Sequence, residues 1–220
     1  MSIPNRCRLV LVIPEEMANP ALMLETALAG GDVASIIIHS SHEDDGIFQT
    51  RCEELIPVAQ NAGVAVIIAN NTRIAGRCNA DGIHLDLTGG DTGRPELAEA
   101  IEKFGPAKMV GGGDVKTRHM ALSLGEANPD YLFFGRLNSD IKPQAHTKML
   151  ALAEWWAQMV EIPGICMGGN AVDSTIEVAK TGVDFIALSS AIFSNEEGAE
   201  QAVMQANQLL DQYAPEFEDV

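Results

Sequence analysis

Basic residues are scarce. In 220 residues, 14 Lys and Arg stand against 31 Asp and Glu, leaving a net charge of −17. That deficit excludes nucleic acid as a partner, because binding to a phosphate backbone rests on Lys and Arg replacing counterions. It also argues against anionic membrane surfaces. Cysteine is sparse too: Cys7, Cys52, Cys78 and Cys166 are scattered, without a Cys-x-x-Cys pair or metal-ligand spacing, and read as reduced thiols. No apolar run approaches the length that crosses a bilayer. The basic start Asn5-Arg-Cys-Arg8 leads into only a short apolar run before Pro14, too little for a secretory signal, so a cytoplasmic location is expected. No linker rich in Pro, Gly or Ser divides the chain. One domain is therefore expected over 1–213, with an acidic, frayed tail at 214–220.

What the chain does have is 46% hydrophobic residues, gathered in short runs. Apolar runs fall at 9–13, 33–38, 64–68, 82–85, 107–110, 131–134, 162–167 and 182–188. Between them lie segments with helical periodicity, at about 20–29, 48–61, 72–78, 95–104, 117–125 and 148–160, and a last one at 196–212. The apolar runs are continuous rather than alternating, as parallel strands covered on both faces require. Eight such units in a chain this short predict a closed, single-domain (β/α)8 TIM barrel rather than an open doubly wound sheet.

A barrel carries its chemistry at the C-terminal ends of its strands. The second run ends at His39, Ser40, Ser41 and His42, and the third at Asn70, Asn71 and Arg73. The fourth ends at Asp86, with Asp91 farther out; the fifth ends in Gly111-Gly-Gly-Asp114. The sixth ends in Gly135 and Arg136, with Asn138 and Lys142 beyond. The last two runs stop at Gly168-Gly169 and at Ser189-Ser190, small residues whose amides can point at a ligand. Adjacent amide-rich strand ends of this kind suit a phosphate, so Gly168, Gly169, Ser189 and Ser190 are expected to bind the phosphate of a small molecule. The three glycines at 111–113 read as a tight turn or as a close approach to a ligand. His84 reads as a hydrogen-bonded core residue. Trp155-Trp156 reads as one buried and one exposed ring in ordinary packing, with a contact in a homo-oligomer as the alternative.

The order of these segments resembles the thiamine phosphate synthase family, including its TenI-like branch. Ala80-Asp-Gly-Ile-His-Leu85 is similar to the family's ADGVHLGQ, and Asp130-Tyr-Leu-Phe-Phe-Gly135 to its DYVGFGP. Ile162-Pro-Gly-Ile-Cys-Met-Gly-Gly169 is similar to IPVVAIGGI, and Ser189-Ser-Ala-Ile192 to VSAI. The resemblance implies a barrel that joins a hydroxymethylpyrimidine pyrophosphate to a thiazole phosphate, with Mg2+ as cofactor. It places the thiazole phosphate at Gly168, Gly169, Ser189 and Ser190. Asn70, Asn71, Gly113 and Asn138 would contact the rest of the substrates, and Asp86 would be a metal ligand.

Several positions depart from the family pattern. The Q-x-R-x-K grip on pyrophosphate is missing, since residues 33–50 contain no Lys or Arg. Asn71 stands where the family has a metal-binding aspartate, and Ser139-Asp-Ile-Lys142 replaces a threonine-rich loop. Arg136, Lys142 and Arg73 are the candidate replacement cations. His39 and His42 are candidates for acid–base chemistry, and Val115 replaces the histidine of the tautomerase branch, with His119 out of register. Three readings follow: a synthase with rearranged ligands, a catalytically silent phosphate-ligand-binding or regulatory barrel, or an isomerase or lyase on another phosphorylated substrate. Against a Schiff-base lyase, Lys108 is the one lysine within a run, at the early end of the fifth.

Overall fold

The computed structural model describes residues 4–41, 44–87 and 93–217. Eight parallel strands close into a barrel in sequence order: β1 (Arg8–Ile13), β2 (Ser35–Ile38), β3 (Ala65–Ala69), β4 (Gly82–Asp86), β5 (Met109–Gly113), β6 (Tyr131–Phe134), β7 (Gly164–Met167) and β8 (Phe185–Leu188). Closure is made where Leu9 pairs with Ile186 and Leu11 with Leu188. Helices α1 (Pro20–Ala29), α2 (Asp45–Asn61), α3 (Thr72–Arg77), α4 (Gly93–Phe104), α5 (Arg118–Gly125), α6 (Thr147–Met159) and α7 (Ser174–Ala179) form the outer layer, completed by α8 (Ser190–Phe193) and α9 (Ala199–Tyr213). The single-domain (β/α)8 barrel expected from the apolar runs is the fold observed. No helix among the described residues is long and apolar enough to cross a membrane.

Strand residues divide by parity. Leu9, Leu11 and Ile13 pack outward under the helices, while Val10 and Val12 face the barrel interior with Ile37, Ile67, Phe133 and Met167. Continuous apolar sequence thus serves two cores at once. Each fully buried leucine or isoleucine contributes roughly 1.5–3 kcal/mol.

Two boundaries differ from the sequence reading for identifiable reasons. Helix α2 begins three residues earlier than expected because Asp44 caps it, accepting from the amide of Gly46 at 2.8 Å. The glycines at 111–113 form no turn. They lie within β5, and a Cβ on Gly111 would sit inside the Tyr131 ring, while one on Gly113 would strike His84. The bare strand makes room for two large interior side chains. Trp156 is buried and donates its indole N–H to Ile162 at 2.7 Å, whereas Trp155 stacks under the Arg118 guanidinium. Residues 214–217 are docked rather than frayed: Arg6 pairs with Glu216, and the amide of Phe217 donates to Asn5.

Candidate active site

Beyond the C-terminal strand ends lie two neighbouring cavities, of about 970 and 630 Å3. The larger is lined from the expected strand ends: His39 from β2, Asn70 beyond β3, Asp86 from β4, Arg136, Asn138 and Lys142 beyond β6, and Gly168 beyond β7. The smaller collects Glu15, Glu16, Asp140, Asn170, Ser189 and Ser190. Asn138 and Ile141 line both, as does Ser41 beyond β2, so the segment after β6 meets Ser41 in the wall between them.

The β2 end differs chemically from a cationic grip. His39 is 3% exposed, and its Nδ1 lies 3.1 Å from Oε1 of Glu15. That carboxylate also accepts from the Ser41 amide at 2.9 Å and the Ser41 hydroxyl at 2.7 Å. Burial would raise the Glu15 carboxyl, but these hydrogen bonds and the His39 ring outweigh it and hold it below its ordinary range. Burial pushes His39 down, against the pull of Glu15, so the ring is neutral at pH 7. Its Nε2 has no hydrogen-bond partner among the described residues. Arg51, the first cation after the basic-free stretch, is turned inward and donates to the carbonyls of His39 and Pro14. It braces β1 against β2.

At the next strand ends, Asn70 adopts a left-handed backbone (φ 58) and clasps Asp86 twice. Its Oδ1 accepts from the Asp86 amide at 2.8 Å, and its Nδ2 donates to the Asp86 carboxylate at 2.8 Å. Burial would raise the Asp86 carboxyl, but the neighbouring His84 ring and the Asn70 amide keep it below its usual value. Asp86 is the one acidic residue among the described residues lining the larger cavity. Among the described residues no group of three or more His, Cys, Asp or Glu is placed to hold a metal ion. The donor set suits magnesium at its minimum: one ionised carboxylate, with ligand phosphates and water supplying the remainder.

Asn71, expected to contact substrate, instead caps α3 by accepting from Ile74 and donates to Asp45. Arg73 is held by the same Asp45 carboxylate, away from either cavity. Gly113 backs onto His84 and does not line the cavities. His84 is fully buried with Nδ1 3.0 Å from the Tyr131 hydroxyl, as a hydrogen-bonded core residue should be. Lys108 donates to the Ala80 carbonyl at the opposite end of the barrel from the cavities. The buried Cys166 thiol is pushed up to about 12 by burial, as an inert thiol would be. His42 and Asp91 lie outside the described residues.

The cationic side of the larger cavity is built from β5 and β6. Asp114, 2% exposed and left-handed at φ 59, holds Lys116 Nζ at 2.7 Å and Arg136 Nε at 3.4 Å. Lys142 lines the same wall and faces solvent.

Gly168-Gly169 and Ser189-Ser190 are brought together at the ends of β7 and β8, but the amides of Gly168, Gly169 and Ser190 are engaged. Gly168 donates to the Ala187 carbonyl, Gly169 to the Ser174 hydroxyl at 2.9 Å, and Ser190 to the Asp140 carboxylate at 2.7 Å. Sequence reading passed over Glu15, and named Asp114 and Asp140 without giving either a role. Glu15 stands two residues beyond β1, a strand end that inspection of the second to sixth ends passes over. For Asp114 and Asp140 the signal is a carboxylate directly beside a candidate cation or strand end.

The chain is similar over nearly its whole length to proteins of one kind. The sequence model of the family described as thiamine monophosphate synthase matches residues 9–192. A thiamine-phosphate synthase of Hyphomonas neptunium is 30% identical over 217 residues, covering 95% of this chain and 96% of the relative. That of Erythrobacter litoralis is 36% identical over 150 residues, covering 67% and 68%. A solved thiamine phosphate pyrophosphorylase from Pyrococcus furiosus superposes with a TM-score of 0.78 at 23% identity, covering 95% of this chain and 98% of its own, and shows the same fold. The protein belongs to the thiamine monophosphate synthase family.

Proposed function

We propose that the protein joins a hydroxymethylpyrimidine pyrophosphate to a thiazole phosphate with release of pyrophosphate. The thiazole nitrogen uses its lone pair to form a C–N bond to the pyrimidine methylene. The C–O bond to pyrophosphate breaks, and the leaving group carries away the electron pair. Stabilising charge on that leaving group is the dominant catalytic demand. The observation that carries the reading is the cationic wall of the larger cavity, where Arg136 and Lys142 face the space that β2 leaves without a cation. A guanidinium there can grip phosphate oxygens in pairs. Magnesium accompanying the pyrophosphate would add to the neutralisation, with Asp86 as its protein ligand. Mixing the protein with both precursors and magnesium, and measuring thiamine phosphate, tests this directly. Product formation that falls with Arg136→Ala supports the assignment.

A second reading is favoured by one observation, the carboxylate of Asp140 on the Ser190 amide. A barrel that binds a phosphorylated molecule without turnover would tolerate such a contact. No product in the assay, with calorimetric binding of the thiazole phosphate retained, would leave this reading standing and remove the first.

A further inference from the structure

The ends of β7 and β8 are occupied from within. Asp140 is 8% exposed, yet it is an acid in a chain already carrying a net charge of −17. Its carboxylate meets the Ser190 amide at 2.7 Å. An anionic oxygen accepting from a backbone amide is the bond a phosphate oxygen would make at the same place. The segment that carries it is fastened on both sides of the strand ends. The amide of Asn170 donates to the Lys142 carbonyl at 2.8 Å, and the amide of Ala145 donates to Glu177 at 3.0 Å. Pro143 lies so close over Gly169 that a Cβ there would collide with its carbonyl. The cavity on this side is lined by Glu15, Glu16 and Asp140, with no Lys or Arg among its described lining residues. A phosphate dianion does not settle among three carboxylates.

We infer that Asp140 is a resident substitute for a ligand phosphate and sets the protein's affinity for phosphorylated ligands by competing for the Ser190 amide. The inference rests on the reading that a phosphorylated ligand binds at these strand ends. Binding requires the wall segment to withdraw, which removes one carboxylate from the site and widens the passage between the two cavities where Asn138 and Ile141 now stand. Ile141, 80% exposed on that wall, loses little packing in the movement. Asp140 therefore discriminates among ligands: a phosphate able to take up several amides displaces it, while a weaker anion does not.

The test is calorimetric titration of wild type, Asp140→Asn and Asp140→Ser with inorganic phosphate and with the thiazole phosphate. Both variants are expected to bind at least tenfold more tightly than wild type, with Ser ahead of Asn because Asn keeps an acceptor near the amide. Affinity equal to or weaker than wild type in folded variants overturns the inference. Should both variants misfold, hydrogen exchange on wild type decides. Saturating thiazole phosphate should deprotect the amides that fasten the wall segment, those of Asn170 and Ala145, and unchanged protection overturns it. Thiamine phosphate production separates the two claims. Tighter binding in the variants with no product from any form leaves this inference standing and removes the synthase reading. Product from wild type with unaltered phosphate affinity in the variants does the reverse.

Discussion

The buried carboxylate of Asp114 lies 3.4 Å from Nε of Arg136, a guanidinium that is otherwise 66% exposed at the rim of the larger cavity. An exposed arginine loses rotamer freedom when it grips an anion, and a fixed partner behind it reduces that loss. Arg136→Ala should weaken pyrophosphate binding about tenfold, ~1.4 kcal/mol. Asp114→Asn, which suits the left-handed backbone at that position, should weaken it less. Titration with pyrophosphate checks both, and wild-type affinity in Arg136→Ala would remove it from the site.

The His39 imidazole should make stability depend on pH. Its folded pKa lies below the ordinary value of 6.5, so the unfolded chain takes up a proton that the folded chain refuses. Its contribution is whole above pH 6.5 and declines as pH falls through that value, by at most about 1.4 kcal/mol per pH unit. Urea unfolding between pH 7 and 5 should show a flatter profile for His39→Gln than for wild type. Glu15 works in a separate window below its ordinary 4.5, where loss of its charge releases Ser41.

Substitution of two glycines by alanine should move stability in opposite directions. Gly76, exposed in α3 with open space where a Cβ would go, should gain roughly 0.5–1 kcal/mol from alanine. Gly111→Ala drives a methyl into the Tyr131 ring and should cost about 1–3 kcal/mol or more. Thermal unfolding of the pair reads the sign, and a stable Gly111→Ala would contradict the packing of β5.

Asn70 combines a strained backbone with two hydrogen bonds to Asp86, and two variants separate them. Asn70→Gly keeps the left-handed conformation and loses the bonds. Asn70→Ala loses the bonds and adds strain, and should be less stable than the glycine variant by roughly 1–2 kcal/mol. Denaturant unfolding giving the opposite order would show that the backbone is free to relax.

The barrel was legible because each of its strands is a local apolar run, and parity along a run assigns the two cores without reference to anything distant. The site was legible only where a strand end names it, as at Asp86, Arg136 and Gly168. What the sequence hides is pairing across the fold. Gly111 owes its place to Tyr131, 20 residues on, and the Ser190 amide meets a carboxylate 50 residues earlier. Asn71 resembles a ligand position but is spent on a helix cap, because a short polar side chain suits either use.

The two cavities divide the mouth of the barrel by sign. Arg136 and Lys142 line one side, and Glu15, Glu16 and Asp140 line the other. An anionic molecule approaching this face meets a lateral field that turns its charged end toward β6 before any contact forms. Salt screens that field, so the bias in the ligand's orientation should fade as ionic strength rises.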